Sequence, residues 1–246
     1  MKNDQNGMTH KLVENDQQSD NTSLAVANRL AEVQSKIKIA ADQRPPRYGT
    51  EPVKLVAVSK RQPDVKIDAA LRAGQRVFGE NRVQEASQRW RNRREEHKDL
   101  VLHLIGPLQT NKVAEAVALF DVIEIVDREK LARALVKEMI RQNRYLPCYI
   151  QVNTGEEPQK SGILPDQLDD FIQFCKSELA LPVIGLMCIP PVDEEAAMHF
   201  ALLYTMAQRL GLNKLSMGMS NDYIDAIGFG ATSVRVGSAI FGIRDS

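Results

Sequence analysis

Val53-Lys54-Leu55-Val56-Ala57-Val58-Ser59-Lys60 is an apolar run that ends on an amine. A strand this continuously apolar is covered on both faces, as in a parallel sheet flanked by helices. In a closed parallel barrel, the loops that follow the strands share one face, and the chemistry sits there. Lys60 therefore sits at a rim where lysines form Schiff bases with carbonyl ligands. Taken alone, it is better read as a strand-end lysine that snorkels to water. The rest of the chain reverses that reading.

Seven more runs of the same kind follow, at 76–79, 101–105, 122–126, 147–152, 183–187, 214–216 and 234–236, so that with 53–58 the chain offers eight strands. The segments between them carry helical patterns. Pro63 suits a first helical position and Gly74 a stop. Asp127 suits a helix cap ahead of Leu131, Ala134, Leu135 and Met139, which share a face. Leu168, Phe171, Ile172 and Cys175 form a second such stripe, and Ala196, Phe200, Leu203 and Ala207 a third. Strict alternation of strand and helix predicts an α/β fold, a single TIM-type (β/α)8 barrel. A doubly wound open sheet is the alternative, but no strand and loop carries the glycine fingerprint of a dinucleotide site.

Ahead of the barrel, Val26, Leu30, Val33 and Ile37 recur at helical spacing and predict an extra N-terminal helix, ended by Arg44-Pro45-Pro46. In residues 1–23 only Met1, Met8, Leu12 and Val13 are large and apolar. Such a segment buries too little surface to offset its ordering entropy, so the expectation is a disordered polar tail over 1–23 and one barrel domain over 24–246.

The 246 residues carry 32 basic and 32 acidic side chains, a formal net charge of zero. No overall field draws such a chain to nucleic acid or to an anionic membrane, and a small ligand fits better. Cys148, Cys175 and Cys188 have no metal-ligand spacing, so no metal site is expected, and their odd number suits reduced thiols in the cytoplasm. No stretch is apolar enough to span a bilayer. The run Arg89, Arg91, Arg93 and Arg94 reads as the solvated face of a helix.

Two C-terminal segments bear on the ligand. Leu215-Ser216-Met217-Gly218-Met219-Ser220-Asn221-Asp222 and Val234-Arg235-Val236-Gly237-Ser238-Ala239-Ile240-Phe241-Gly242 place glycine and serine where helices begin, after strands seven and eight. Barrels commonly bind phosphate at those loops, and helix starts offer unpaired N–H groups. Ser220, Gly237 and Ser238 thus make a candidate phosphate cup, although either serine alone is better read as an ordinary helix cap. A lysine amine and a phosphate cup at opposite sides of one pocket suit a phosphorylated aldehyde, pyridoxal 5′-phosphate (PLP) being the obvious one. Arg235, at the end of strand eight, is placed to face the pyridine nitrogen, where a fixed cation disfavours ring protonation and weakens the cofactor as an electron sink. Its bland alternative is a barrel-rim ion pair.

Several separated segments resemble one family: Val56-Ala57-Val58-Ser59-Lys60, Phe78-Gly79-Glu80-Asn81, His103 to Lys112, Gly185-Leu186-Met187-Cys188, Leu215 to Ser220 and Val234 to Gly242. Their order resembles that of the pyridoxal phosphate homeostasis proteins, from about residue 24 to the C-terminus. The resemblance implies a barrel like the N-terminal domain of alanine racemase, with Lys60 as the Schiff-base lysine. It also implies phosphate contacts from Ser220, Gly237 and Ser238, and Arg235 at the ring nitrogen. Asn81 and His103 match pocket positions of the family, although His103 also reads as a core histidine within a strand. Lys160 matches a position near the pocket mouth, and an exposed loop lysine is as good a reading. Ala231 stands where the resemblance more often has serine.

Racemisation needs acid and base groups on both faces of the bound substrate. Lys60 serves one face. In alanine racemase the opposing tyrosine comes from a second domain and the partner subunit, whereas this chain stops just after strand eight. None of Tyr48, Tyr145, Tyr149, Tyr204 or Tyr223 stands in an obvious opposing position. The expectation is a monomeric, cytoplasmic carrier that holds PLP as a Schiff base, serves PLP and amino-acid homeostasis without strong turnover, and releases the cofactor to PLP-dependent apoenzymes. The competing readings are a PLP-dependent amino-acid racemase and a cofactor-free barrel aldolase.

Overall fold

The computed structural model describes residues 5–242 of the chain, with side chains described from Asp20 onward. Eight parallel strands close into one barrel in sequence order. They are β1 (Lys54–Val58), β2 (Val77–Glu80), β3 (Val101–Leu104), β4 (Val122–Val126), β5 (Cys148–Val152), β6 (Val183–Cys188), β7 (Lys214–Ser216) and β8 (Ser233–Val236). Each lies within about a residue of the sequence expectation, because every run is bounded by a helix or turn signal. Closure comes from β8 pairing with β1, with Lys54 opposite Ser233 and Val56 opposite Arg235.

The intervening helices are α2 (Asp64–Arg72), α3 (Val83–Glu96), α4 (Val113–Leu119), α5 (Glu129–Gln142), α6 (Leu168–Gln173), α7 (Ala196–Arg209), α8 (Tyr223–Gly228) and the short α9 (Ser238–Phe241). Pro63 sits one residue before α2 as its cap. The expected cap by Asp127 does not form: Arg128 is the N-cap of α5, and Asp127 pairs with the Arg128 guanidinium instead. Leu131, Leu135 and Met139 of α5 are buried as expected. So are Leu168, Phe171, Ile172 and Cys175 on α6 and the π-helical turn that extends it over Phe174–Glu178.

All five residues of β4 are buried, and so are the last four of β1. Burying each such aliphatic side chain stabilises the fold by about 1.5–3 kcal/mol. Close strand approach is built in at Gly185 on β6, where a Cβ would lie 2.0 Å from the Lys214 carbonyl oxygen of β7.

Helix α1 (Gln5–Gln43) lies outside this alternation. Val26, Leu30, Val33 and Ile37 are its buried stripe, and it crosses α2, α8 and α9. Arg29 Nε donates to the Ile240 carbonyl at 2.7 Å, pinning the helix beside α9. The helix begins at Gln5, inside the segment for which composition predicts a disordered tail. Residues 1–4 lie outside the described residues, as do the side chains before Asp20.

The run of arginines on α3 departs from expectation. Arg91 is exposed, but Arg89 and Arg93 are only 16% and 15% exposed and both are ion-paired, Arg89 with Glu80 and Arg93 with Asp68. Arg94 pairs with Asp121. This face of α3 is a set of bridges to the barrel rather than a solvated surface. Among the described residues, no helix is long and apolar enough to cross a membrane, and no cluster of His, Cys, Asp or Glu could hold a metal ion.

Candidate functional site

At the end of the barrel where the strands terminate, a cavity of about 440 Å³ is lined by Lys60, Asn81, Arg235, Ser220, Gly237 and Ser238. Six of the seven cofactor residues read from the sequence therefore line one cavity. Strand β1 ends at Val58, so Lys60 is carried by the turn after it rather than by its last position. That turn closes through the Gln62 N–H donating to the Ser59 carbonyl at 3.1 Å.

Because β8 is hydrogen-bonded to β1, the loop beginning at Gly237 abuts the end of β1, and a Cβ on Gly237 would lie 3.3 Å from the Val58 carbonyl oxygen. The turn that carries Lys60 and the loop that begins at Gly237 are thus adjacent at the seam where the barrel closes. Two backbone N–H groups converge on the cup: those of Gly237 and Ala239 donate to Ser220 Oγ at 3.2 and 3.4 Å. Gly218 makes room for the loop that carries Ser220. Its φ of +91° favours glycine, and a Cβ there would lie 2.6 Å from that of Ala226.

Asn81 follows β2 and rests on Gly106, where a Cβ would meet the Asn81 carbonyl oxygen at 2.5 Å. Its side-chain Oδ1 is buried without a partner. An unsatisfied buried acceptor beside a cavity is ready for a ligand donor.

Arg235 forms the floor. Only 4% exposed, it donates from Nη1 to Ser216 Oγ at 2.6 Å and from Nη2 to the Cys188 carbonyl at 2.7 Å. Below it, Ser216 Oγ donates to Glu124 Oε2 at 2.5 Å, and His103 Nδ1 meets Glu124 Oε1 at 2.5 Å. Glu124 lies 3.9 Å from the Arg235 guanidinium. Desolvation pushes the Glu124 carboxyl up, but His103, Arg235 and Ser216 together outweigh it and hold the group below the usual carboxylate value. His103 therefore does not line the cavity: it is 1% exposed, inside the barrel, and its Nε2 has no partner.

Lys160 lines a neighbouring cavity of about 350 Å³ that shares Asn81, Ile105 and Ile189 with the first, and its Nζ pairs with Glu157 at 2.5 Å. Sequence reasoning missed Glu124, Ser216, Glu80 and Arg89. Glu124 had a visible signal, a carboxylate in the middle of the otherwise apolar Val122-Ile123-Glu124-Ile125-Val126, since a charge there must find partners. All three cysteines are free and buried. Burial pushes the Cys175 and Cys188 thiols up to about 12 and Cys148 higher still, so none is a nucleophile near neutral pH.

The model of the alanine racemase N-terminal domain family matches residues 23–245. The pyridoxal phosphate homeostasis protein of Pasteurella multocida is 36% identical over 232 residues, covering 90% of this chain and 99% of that relative. The protein of the same name from Pseudomonas aeruginosa is 41% identical over 229 residues, covering 89% and 96%. Among solved structures, PipY of Synechococcus elongatus PCC7942 superposes with TM-scores of 0.76 without PLP and 0.74 with PLP bound, at 38% and 37% identity, over 88% of this chain and 100% of PipY. By barrel, motif order and full-length similarity, the chain belongs to the pyridoxal phosphate homeostasis protein family, built on the alanine racemase N-terminal fold.

Proposed function

We propose that this protein binds PLP in the cavity at the strand ends and serves the homeostasis of that cofactor. The observation that carries the reading is that Lys60, Ser220, Gly237 and Ser238 line one cavity of about 440 Å³, within the range of small-ligand sites. PipY, which has been solved with PLP bound, supports it. When bound, PLP supplies an aldehyde that a lysine holds as a Schiff base, and a pyridine ring whose electron demand depends on what faces its nitrogen.

The residues present fit that group. Lys60 supplies the amine. Ser220 and the amides of Gly237 and Ala239 supply hydrogen-bond donors, and phosphate oxygens compete with Ser220 Oγ for those amides. Arg235 presents a permanently charged guanidinium, fixed from below, so it does not hand a proton to a ring nitrogen. Asn81 Oδ1 is a buried acceptor at the side wall. His103 acts beneath the floor, through Glu124 and Ser216, rather than by contact.

In this reading the protein is a holder of the cofactor and not a strong catalyst. Besides Lys60 and Arg235, the titratable cavity residues are Glu194 and Asp222. Asp222 already accepts from the Met219 N–H at 2.5 Å, and Glu194 meets His199 Nε2 at 3.2 Å. None of the five tyrosines lines this cavity. Action as a cytoplasmic monomer and release to PLP-dependent apoenzymes belong to the same proposal. Borohydride reduction of PLP-loaded protein followed by peptide mapping tests the anchor. Label on Lys60 is expected, and a colourless protein or label elsewhere overturns the reading. Incubation with L-amino acids should leave their chirality intact, and sustained racemisation would favour the enzymatic alternative.

A further inference from the structure

The turn that carries Lys60 is gripped from behind by a residue remote in sequence. Arg89, on α3, donates from Nη1 to the Ser59 carbonyl at 3.0 Å and from Nη2 to the Gln62 carbonyl at 3.1 Å. These two carbonyls bracket Lys60 and Arg61. The same Nη1 reaches Glu80 Oε1 at 3.1 Å, and Nε lies 3.5 Å from Asp64 at the start of α2. Glu80 is fully buried and its Oε1 also accepts from Ser59 Oγ at 2.7 Å and from Trp90 Nε1 at 3.0 Å. Trp90 is itself buried against Phe78, with ring centroids 4.7 Å apart.

Inside this grip, Arg61 has a φ of +58°. A non-glycine residue rarely adopts that left-handed conformation and keeps it only where the surroundings over-determine it. The bonds to the turn come from one planar fork that spans both carbonyls, an arrangement a lysine ammonium cannot reproduce.

We propose that Arg89 is a positioning residue: with Glu80 as its buried counter-charge, it holds the Ser59–Gln62 turn in the strained conformation that presents the Lys60 amine to the cavity. The inference rests on Lys60 being the anchor for PLP, and it assigns a function to an arginine that has no contact with the cavity. Its physical basis is pre-organisation. A lysine on a fixed turn loses less freedom when it becomes covalently tethered than one on a mobile turn.

The test compares wild type with Arg89→Lys and Arg89→Ala. Total bound PLP is measured by equilibrium dialysis, the Lys60-linked fraction by borohydride trapping and peptide mapping, and the turn itself by amide hydrogen exchange in the PLP-free protein. In Arg89→Ala, the ratio of linked to unlinked PLP should fall about tenfold, corresponding to about 1.4 kcal/mol. Unlinked binding through the phosphate cup should stay within about twofold, and exchange at Gln62 should accelerate. Arg89→Lys keeps a cation beside Glu80 and preserves folding, but should recover only part of the linked fraction. An unchanged ratio in both variants would overturn the proposal, as would parallel loss of linked and unlinked PLP. Absence of Lys60 label in wild type would instead remove the cofactor assignment itself, an outcome visible before any variant is made.

Discussion

Replacing Glu124 by Gln tests whether the barrel floor is an electrostatic support or inert filling. The substitution keeps the shape but removes the carboxylate that faces Arg235 at 3.9 Å, accepts from Ser216 Oγ and meets His103 Nδ1. At an effective dielectric constant of about 20, two unit charges about 4 Å apart attract by about 4 kcal/mol. Part of that is offset because Glu124 need no longer be desolvated, yet Arg235 stays buried. Breaking a buried pair from one side costs about 3–5 kcal/mol, and the retained amide lowers the expectation to about 2–4 kcal/mol. For a protein of this size, about 1 kcal/mol corresponds to roughly 2–4 °C in Tm, so the midpoint should drop by about 4–16 °C.

The sign of the pH dependence follows from the depressed Glu124 value in the folded protein. Its contribution is fully present above the ordinary carboxylate pKa and is lost as pH falls through the lower folded value. Urea unfolding should therefore show a wild-type advantage that is constant from neutrality to about pH 5 and shrinks in stronger acid. A Gln variant within about 1 kcal/mol of wild type at neutral pH, or a gap that persists undiminished in acid, would refute the reasoning.

Three further outcomes follow from the geometry. Ser220→Ala removes the side-chain hydroxyl donor of the cup while leaving the Gly237 and Ala239 amides in place, and dialysis should record PLP affinity lower by about 5–30-fold, corresponding to about 1–2 kcal/mol. Gly185→Ala drives a methyl to 2.0 Å from the Lys214 carbonyl oxygen, so β6 and β7 must separate, and denaturant unfolding should show a loss of about 3 kcal/mol or more. Glu194→Gln removes a cavity carboxylate that pairs with His199. Because that carboxylate is engaged with His199, chiral analysis with L-amino acids should show no sustained racemisation in wild type or variant, and turnover in wild type that the variant abolishes would refute the holder reading.

The strands were legible because each is a short apolar run closed by a helix or turn signal, and eight in alternation admit few architectures. The extra helix was legible from the Val26, Leu30, Val33 and Ile37 stripe. Lys60, Ser220, Gly237 and Ser238 could be named because they stand in the loops that follow strands, and Arg235 because it stands near the end of β8. His103 was less legible, since it holds the same place in β3 that Arg235 holds in β8. Within β3 it faces the barrel interior, and a pattern of residue types does not tell a mouth position from one a layer below it. The arginines of α3 misled because a charged helix face looks the same in sequence whether it meets water or buried carboxylates.

What the sequence by itself determined was the rhythm of the chain and the residue types at its strand ends, since burial patterns and turn preferences act over a few neighbouring residues. Only the tertiary structure decided that Lys60 and the Gly237 loop are neighbours across the β1–β8 seam. It alone brought Arg89 and Glu80 to the back of the lysine turn, and Glu124, Ser216 and His103 beneath Arg235. Those partners are separated by tens to nearly two hundred residues of chain. Folding of the barrel brings them together, and burial there makes each unpaired charge costly enough to require a partner.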